Sequence, residues 1–157
     1  MSSTSRGASP LRAPSPRRPR VRTVLLYEYA IVRVVPRPER EEFLNAGVIL
    51  ACAPRRFLEA RVRIDRSRLA AFGPGLDLEL VEAHLAAIPI LCAGGPAAGP
   101  IGRLSQRERF HWLTAPRSAL IQTSVVHTGW CADPVAALDD LARRMVDMPA
   151  TAGSPSA

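Results

Sequence analysis

The sequence predicts an α+β domain: an antiparallel sheet of about four strands, opening as a β-meander, with helices packed on one side. Three observations carry this. Residues 24–64 hold two apolar runs and one cleanly alternating run. Residues 65–113 show helical spacing punctuated by capping residues, and a β-branched stretch with a final amphipathic segment closes the pattern. Strands grouped before helices favour segregated layers over an alternating parallel architecture.

Residues 24–35 (VLLYEYAIVRVV) are apolar on both alternating faces apart from Glu28 and Arg33, as in a strand buried within a sheet, and Pro36 and Pro38 stop it. Residues 46–52 form a second apolar run. In 57–64, Leu58, Ala60, Val62 and Ile64 face one way and Phe57, Glu59, Arg61 and Arg63 the other. The short Pro54-Arg55-Arg56 turn joins these two runs as a hairpin. Asn45-Ala46-Gly47 fits a bulge or turn needing unusual backbone angles.

Asp65 can cap a helix over 66–72, ended by Gly73-Pro74-Gly75. Asp77 can cap a second helix with the stripe Leu78, Val81, Leu85 and Ile88, which Pro89 should end or kink. Residues 93–100 (AGGPAAGP) read as loop. Ser105 and Glu108 match a capping box ahead of Phe110, Trp112 and Leu113. Residues 118–126 are β-branched enough for a fourth strand, after which His127-Thr128-Gly129 should turn. Asp133-Pro134 then starts a last helix burying Val135, Leu138, Leu141, Met145 and Val146.

At 157 residues the chain is one domain long. The expected organisation is a disordered basic tail over 1–22, a single domain over 24–148 and a disordered tail over 149–157. Of the 21 basic residues, all arginine, six lie in residues 1–22 with no acid among them. The other fifteen face all 14 acids, so the body is nearly neutral and the basic character belongs to the tail. The absence of lysine excludes a Gly-rich phosphate loop of the usual kind, and no GxSxG, HExxH or CxxC occurs. Cys52, Cys92 and Cys131 are odd in number and widely spaced, which reads as reduced thiols in a cytoplasmic protein. No apolar run reaches the ~20 residues a membrane span needs, so no membrane association is expected. Neither a metal nor a cofactor is called for by these residues.

His127 ends a strand where side chains often reach a site, and it is the one candidate for acid–base chemistry. Its spacing to Cys131 defines no metal geometry. His84 and His111 read as structural. Segment 101–130 carries Arg103, Arg107, Arg109 and Arg117 against Glu108 alone, together with Trp112, Gln106, Gln122 and His127. Arginines, amides and an aromatic ring together can hold a carboxylate, phosphate or base, with Arg33 and Arg61 adding to the set. Salt-bridged or solvated arginines are the plainer alternative.

Four stretches carry a family resemblance: Tyr29-Ala-Ile-Val-Arg33-Val-Val-Pro36, Glu42-Phe-Leu-Asn45-Ala-Gly47-Val-Ile, Arg109-Phe-His-Trp112-Leu-Thr-Ala-Pro116-Arg117-Ser118 and His127-Thr128-Gly129. In unbroken order over about residues 27–146, the chain resembles the bacterial family catalogued as domain of unknown function 3037. The resemblance implies a small stand-alone protein with no assigned activity. It also implies a protein partner, with a HipA-like kinase as the candidate. Its motif positions make Arg33, Asn45, Arg109, Trp112, Arg117, His127 and Gly129 the expected site. Three functions follow as expectations. The first is a non-enzymatic accessory protein acting through a partner. The second is an anionic-ligand domain for a nucleotide or nucleic acid, with the tail as a further contact. The third is a hydrolase or transferase using His127.

Overall fold

A computed structural model describes residues 7–19, 22–117 and 119–148. Residues 7–19 carry no regular structure and are exposed throughout; the rest of the expected N-terminal tail short of Arg22, and the expected C-terminal tail, lie outside the described residues.

Three consecutive strands form the meander: β1 (Leu25–Val34), β2 (Leu44–Cys52) and β3 (Phe57–Val62), each antiparallel to the next. Helices α1 (Arg66–Phe72), α2 (Leu78–Ala93) and α3 (Gln106–Thr114) follow, then two short strands, β4 (Ile121–Thr123) and β5 (His127–Cys131), and finally α4 (Pro134–Met145). The sheet runs β3-β2-β1, and both short strands pair with the remaining edge of β1. Strand β4 takes Val32–Val34 and β5 takes Leu25–Tyr29.

The fold class is as expected, but the helices are not all on one side. Val32 and Val34 of β1 face a core shared with Leu69 of α1, Val81 and Leu85 of α2 and Phe110 of α3. Ile31, with Val48, Leu50 and Cys52, faces a second core closed by Leu138, Leu141 and Ala142 of α4. Both faces of β1 and β2 are apolar, so both must be covered, and α4 covers the second. Its contacts with solvent differ from the sequence reading too: Val135 and Met145 are exposed, whereas Leu138, Leu141 and Val146 are buried.

Asp65, Asp77 and Asp133 each accept a backbone N–H at a helix start, and Ser105 and Glu108 form the reciprocal capping box. Pro89 neither ends nor breaks α2. It lies on the exposed side, and Ile88 and Cys92 continue the buried stripe past it. The Gly-rich segment after α2 coils into 3-10 turns over Pro96–Arg103, broken at Gly99.

The bulge at Asn45-Ala46-Gly47 is present: Val32 pairs with Gly47 and Arg33 with Asn45, leaving Ala46 extra. Gly47 does not have a positive φ, so unusual angles are not its reason. Its reason is close approach, because a Cβ there would lie 2.7 Å from the Arg61 carbonyl oxygen.

Of the expected strand over 118–126, Ser118 lies outside the described residues and Ile121–Thr123 form the strand, while the expected turn at His127 is a strand instead. Ser124 explains both. Its N–H donates to the Ile31 carbonyl at 2.8 Å and its Oγ accepts the Ile31 N–H at 2.9 Å. Ladder pairing with β1 is thereby interrupted over Ser124–Val126 and resumes as β5. With Ser124 buried, Ser124→Ala leaves the Ile31 N–H without a partner. The expected loss is about 1–3 kcal/mol, read from urea unfolding with an unchanged m-value.

Candidate functional site

The residues expected to form one site are divided by the fold among four places. Arg109 lies inside the protein, only 8% exposed. It donates to the Cys92 carbonyl at 3.3 Å and to the Leu104 carbonyl at 2.5 Å, tying the end of α2 to the start of α3. Gly94, with φ +72°, leaves it room: a Cβ there would fall 2.8 Å from the guanidinium carbon. Arg109 is therefore an interior strut. Cys92 beside it is pushed up to about 12, chiefly by burial, so its thiol stays protonated.

Arg61 and Asn45 hold α4 in place. Arg61 Nε meets Asp139 Oδ1 at 2.8 Å, with Arg63 and Asp147 paired in the same way at 2.9 Å. Asn45 Nδ2 donates to the Met145 carbonyl at 3.0 Å, near the end of α4. Neither residue reaches a cavity shared with the other candidates.

His127 sits at the start of β5, opposite Tyr29, with the two rings 5.2 Å apart. It is exposed, and among the described residues no carboxylate hydrogen-bonds to it. Burial, and then neighbouring Cys52, raises the Cys131 thiol above its ordinary value, the opposite of nucleophile activation. Gly129 is a packing position, since a Cβ there would strike the Tyr27 ring at 2.5 Å.

Arg33, Arg117 and Trp112 do come together. Arg33 leaves β1 at the bulge and lays its guanidinium 3.9 Å from the centre of the Phe43 ring. Arg117, after α3, lies 4.1 Å from the centre of the Trp112 ring and donates to the Trp112 carbonyl at 2.5 Å. Both stacks fix long side chains by cation–π attraction. The two arginines line one open pocket of about 640 Å³ with Phe43, Pro116, Glu41 and Gln122. Gln122 is placed by the sheet, being the register partner of Arg33 on β4.

Arg117 and Gln122 also line an adjoining slot of about 340 Å³ between α2, the end of α3 and β4. Its walls include Ile49, Ala87, Ile88, Leu91, Leu113 and Ile121, with His84 and Thr123 as further polar groups. An apolar recess with a few convergent polar groups at its mouth is the usual form of a small-molecule site. None of Arg33, Arg117 and His84 has a carboxylate within ion-pair distance among the described residues. The Arg33 Nε is buried and unpaired, as is the Asn45 Oδ1 on the neighbouring strand.

On sequence alone His84 reads as structural, and Gln122 is named among the amides of segment 101–130 without being ranked as a site residue. Nothing local marks His84. Among the described residues no group of three or more His, Cys, Asp and Glu could hold a metal ion, and no single helix is long and apolar enough to cross a membrane.

Fold and pocket together describe a small α+β domain with an arginine-rimmed apolar recess. Residues 29–146 match the family model described as protein of unknown function (DUF3037), and the chain belongs to that family. No curated protein and no solved structure matches it.

The strut role of Arg109 makes a prediction. Arg109→Met removes two hydrogen bonds from a charged group to interior carbonyls. It should lower stability by about 2–4 kcal/mol in chemical denaturation. Ligand binding measured well below the new melting temperature should be nearly unaffected.

Proposed function

We propose that this chain is a binding domain for a small anionic ligand, taken up where Arg33 and Arg117 rim the recess between α2 and β4. One observation supports this above the others. Two arginines free of acidic partners, each stacked on an aromatic ring, converge on one pocket with an amide between them. An arginine committed to stability is ion-paired or buried, as Arg61 and Arg109 are. Arginines with unspent donors held rigid at a cavity mouth lose little conformational freedom on binding an anion. The arginine-rich tail is a separate electrostatic feature, and none of its described residues lines this pocket.

The test is isothermal titration calorimetry against a panel of organic anions at low and moderate salt. Arg117→Ala and Arg33→Ala should each weaken binding by about tenfold or more, the loss of a charge-assisted contact, while circular dichroism stays unchanged. Wild-type affinity in both variants would refute the site.

A specific feature also supports action through a protein partner. Among the described residues β5 is an unpaired sheet edge without a charged residue, and Trp130 on it is 69% exposed beside Leu26 at 44%. Uncharged edges of this kind accept an added strand. Nothing in the fold selects a HipA-like kinase over another partner. If β5 is a docking edge, Trp130→Glu should abolish co-purification of a bound protein from the native host without lowering the melting temperature. Unchanged co-purification would remove the edge from consideration. The hydrolase reading has no such support, because His127 lacks an acid partner and lies away from the recess.

A further inference from the structure

We infer that the ligand is a monocarboxylic acid with an apolar aryl or acyl body, and that nucleotides and other polyphosphates are not accommodated. The inference rests on the proposed site and narrows what it takes.

The first argument is charge. The rim holds Arg33 and Arg117, and Glu41 lines the same pocket. Two cations against one carboxylate leave about one positive charge for the ligand to offset, which suits a monoanion. A triphosphate would bring its surplus charge towards Glu41 at the same mouth.

The second argument concerns backbone donors. Phosphate sites generally use the free N–H groups of a helix N-terminus or a Gly-rich loop. Here the recess meets α2 in its middle and second half, at His84, Ala87, Ile88 and Leu91. It meets α3 at its C-terminal end, through Trp112 and Leu113, with Ala115 just beyond. A helix C-terminus carries the negative end of the dipole, and Arg117 already spends one donor on the Trp112 carbonyl there. That end repels a multiply charged anion but leaves the remaining guanidinium donors for a planar carboxylate, which matches a guanidinium in geometry.

The third argument is the slot itself. Ile49, Ala87, Ile88, Leu91, Leu113 and Ile121 line a space of about 340 Å³ that shares Arg117 and Gln122 with the arginine pocket. A body that enters it should be largely apolar, since among the described lining residues Thr123, His84 and the Trp112 indole are the only other side chains with polar atoms. With the body in the slot, the carboxylate falls at the junction of the two pockets. There Arg117 and Gln122 are common to both, and Arg33 flanks Gln122 across the strand pair.

The experiment uses the full chain with phenylacetate and octanoate as probes, against phenylacetamide as the uncharged twin and AMP and inorganic phosphate as phosphate controls. Melting temperature and calorimetric affinity are read for wild type, Arg117→Ala, Arg33→Ala and Ala87→Phe, the last filling the slot without touching the rim. At least one carboxylate should raise the melting temperature in proportion to the logarithm of its concentration, whereas phenylacetamide, AMP and phosphate should not. Ala87→Phe and Arg117→Ala should each weaken the carboxylate by about tenfold or more. Equal binding of phenylacetate and phenylacetamide would overturn the inference, since charge would then not be recognised. Binding of AMP or phosphate that is lost in Arg33→Ala or Arg117→Ala would overturn the carboxylate assignment and leave the anion site standing. No binding by any probe, with all variants behaving as wild type, would overturn both.

Discussion

Strand β1 is hydrogen-bonded along both edges, and the arrangement of everything else follows from how its second edge is satisfied. One edge is filled by β2 in the meander. The other is filled by two short strands, with Ser124 bridging the gap by giving and receiving one hydrogen bond at Ile31. A buried strand cannot leave a run of backbone donors and acceptors open, so β4 and β5 must both return to it. That return places the chain after α3 alongside the end of β1. Arg117 and Gln122 are thereby brought to Arg33, and the recess is the space left where α2 bridges over three-residue β4.

The arginines show how one residue type is divided among unlike tasks. Arg109 donates from its two terminal nitrogens to two carbonyl oxygens inside the protein, its Nε left unpaired, and removing it would orphan the groups it serves. Arg61 and Arg63 reach across β3 to acids of the α4 region. Pairs of this kind, exposed as they are, contribute more to where the helix docks than to net stability. Arg33 and Arg117 have neither role. Aromatic rings hold them, acids do not, and their donors face a cavity.

That division was invisible in the sequence, although most of the scaffold was legible. Capping residues announced every α-helix start, because a side chain that accepts an orphan N–H must stand at a fixed offset from it. Alternation revealed the meander, and apolar character on both faces of 24–35 already implied two cores, although the helices were expected on one side. What failed was non-local. The break at Ser124 depends on Ile31, which lies 93 residues earlier, and Pro89 was tolerated because its side of α2 faces solvent. Family motifs marked Arg109 and Gly129 as strongly as Arg117, yet the first two are packing devices. A motif records that a residue is needed, and only its partners say for what.

Arg33 is where architecture and site meet. Its position follows from the bulge: with Ala46 extra, Arg33 is set against Asn45 instead of continuing the regular register. Its Nε donor and the Asn45 Oδ1 acceptor are both buried and both unpaired, at paired positions on adjacent strands. The Asn45 amide is simultaneously fixed by the Met145 carbonyl, which prevents it from turning freely towards Arg33. The guanidinium is therefore held by Phe43 from one side and by no strong hydrogen bond from the other, leaving its terminal nitrogens to whatever enters the pocket. An arginine rooted in a core strand and stacked at its tip can present those donors in one geometry, which is what separates a binding group from a solvated surface charge.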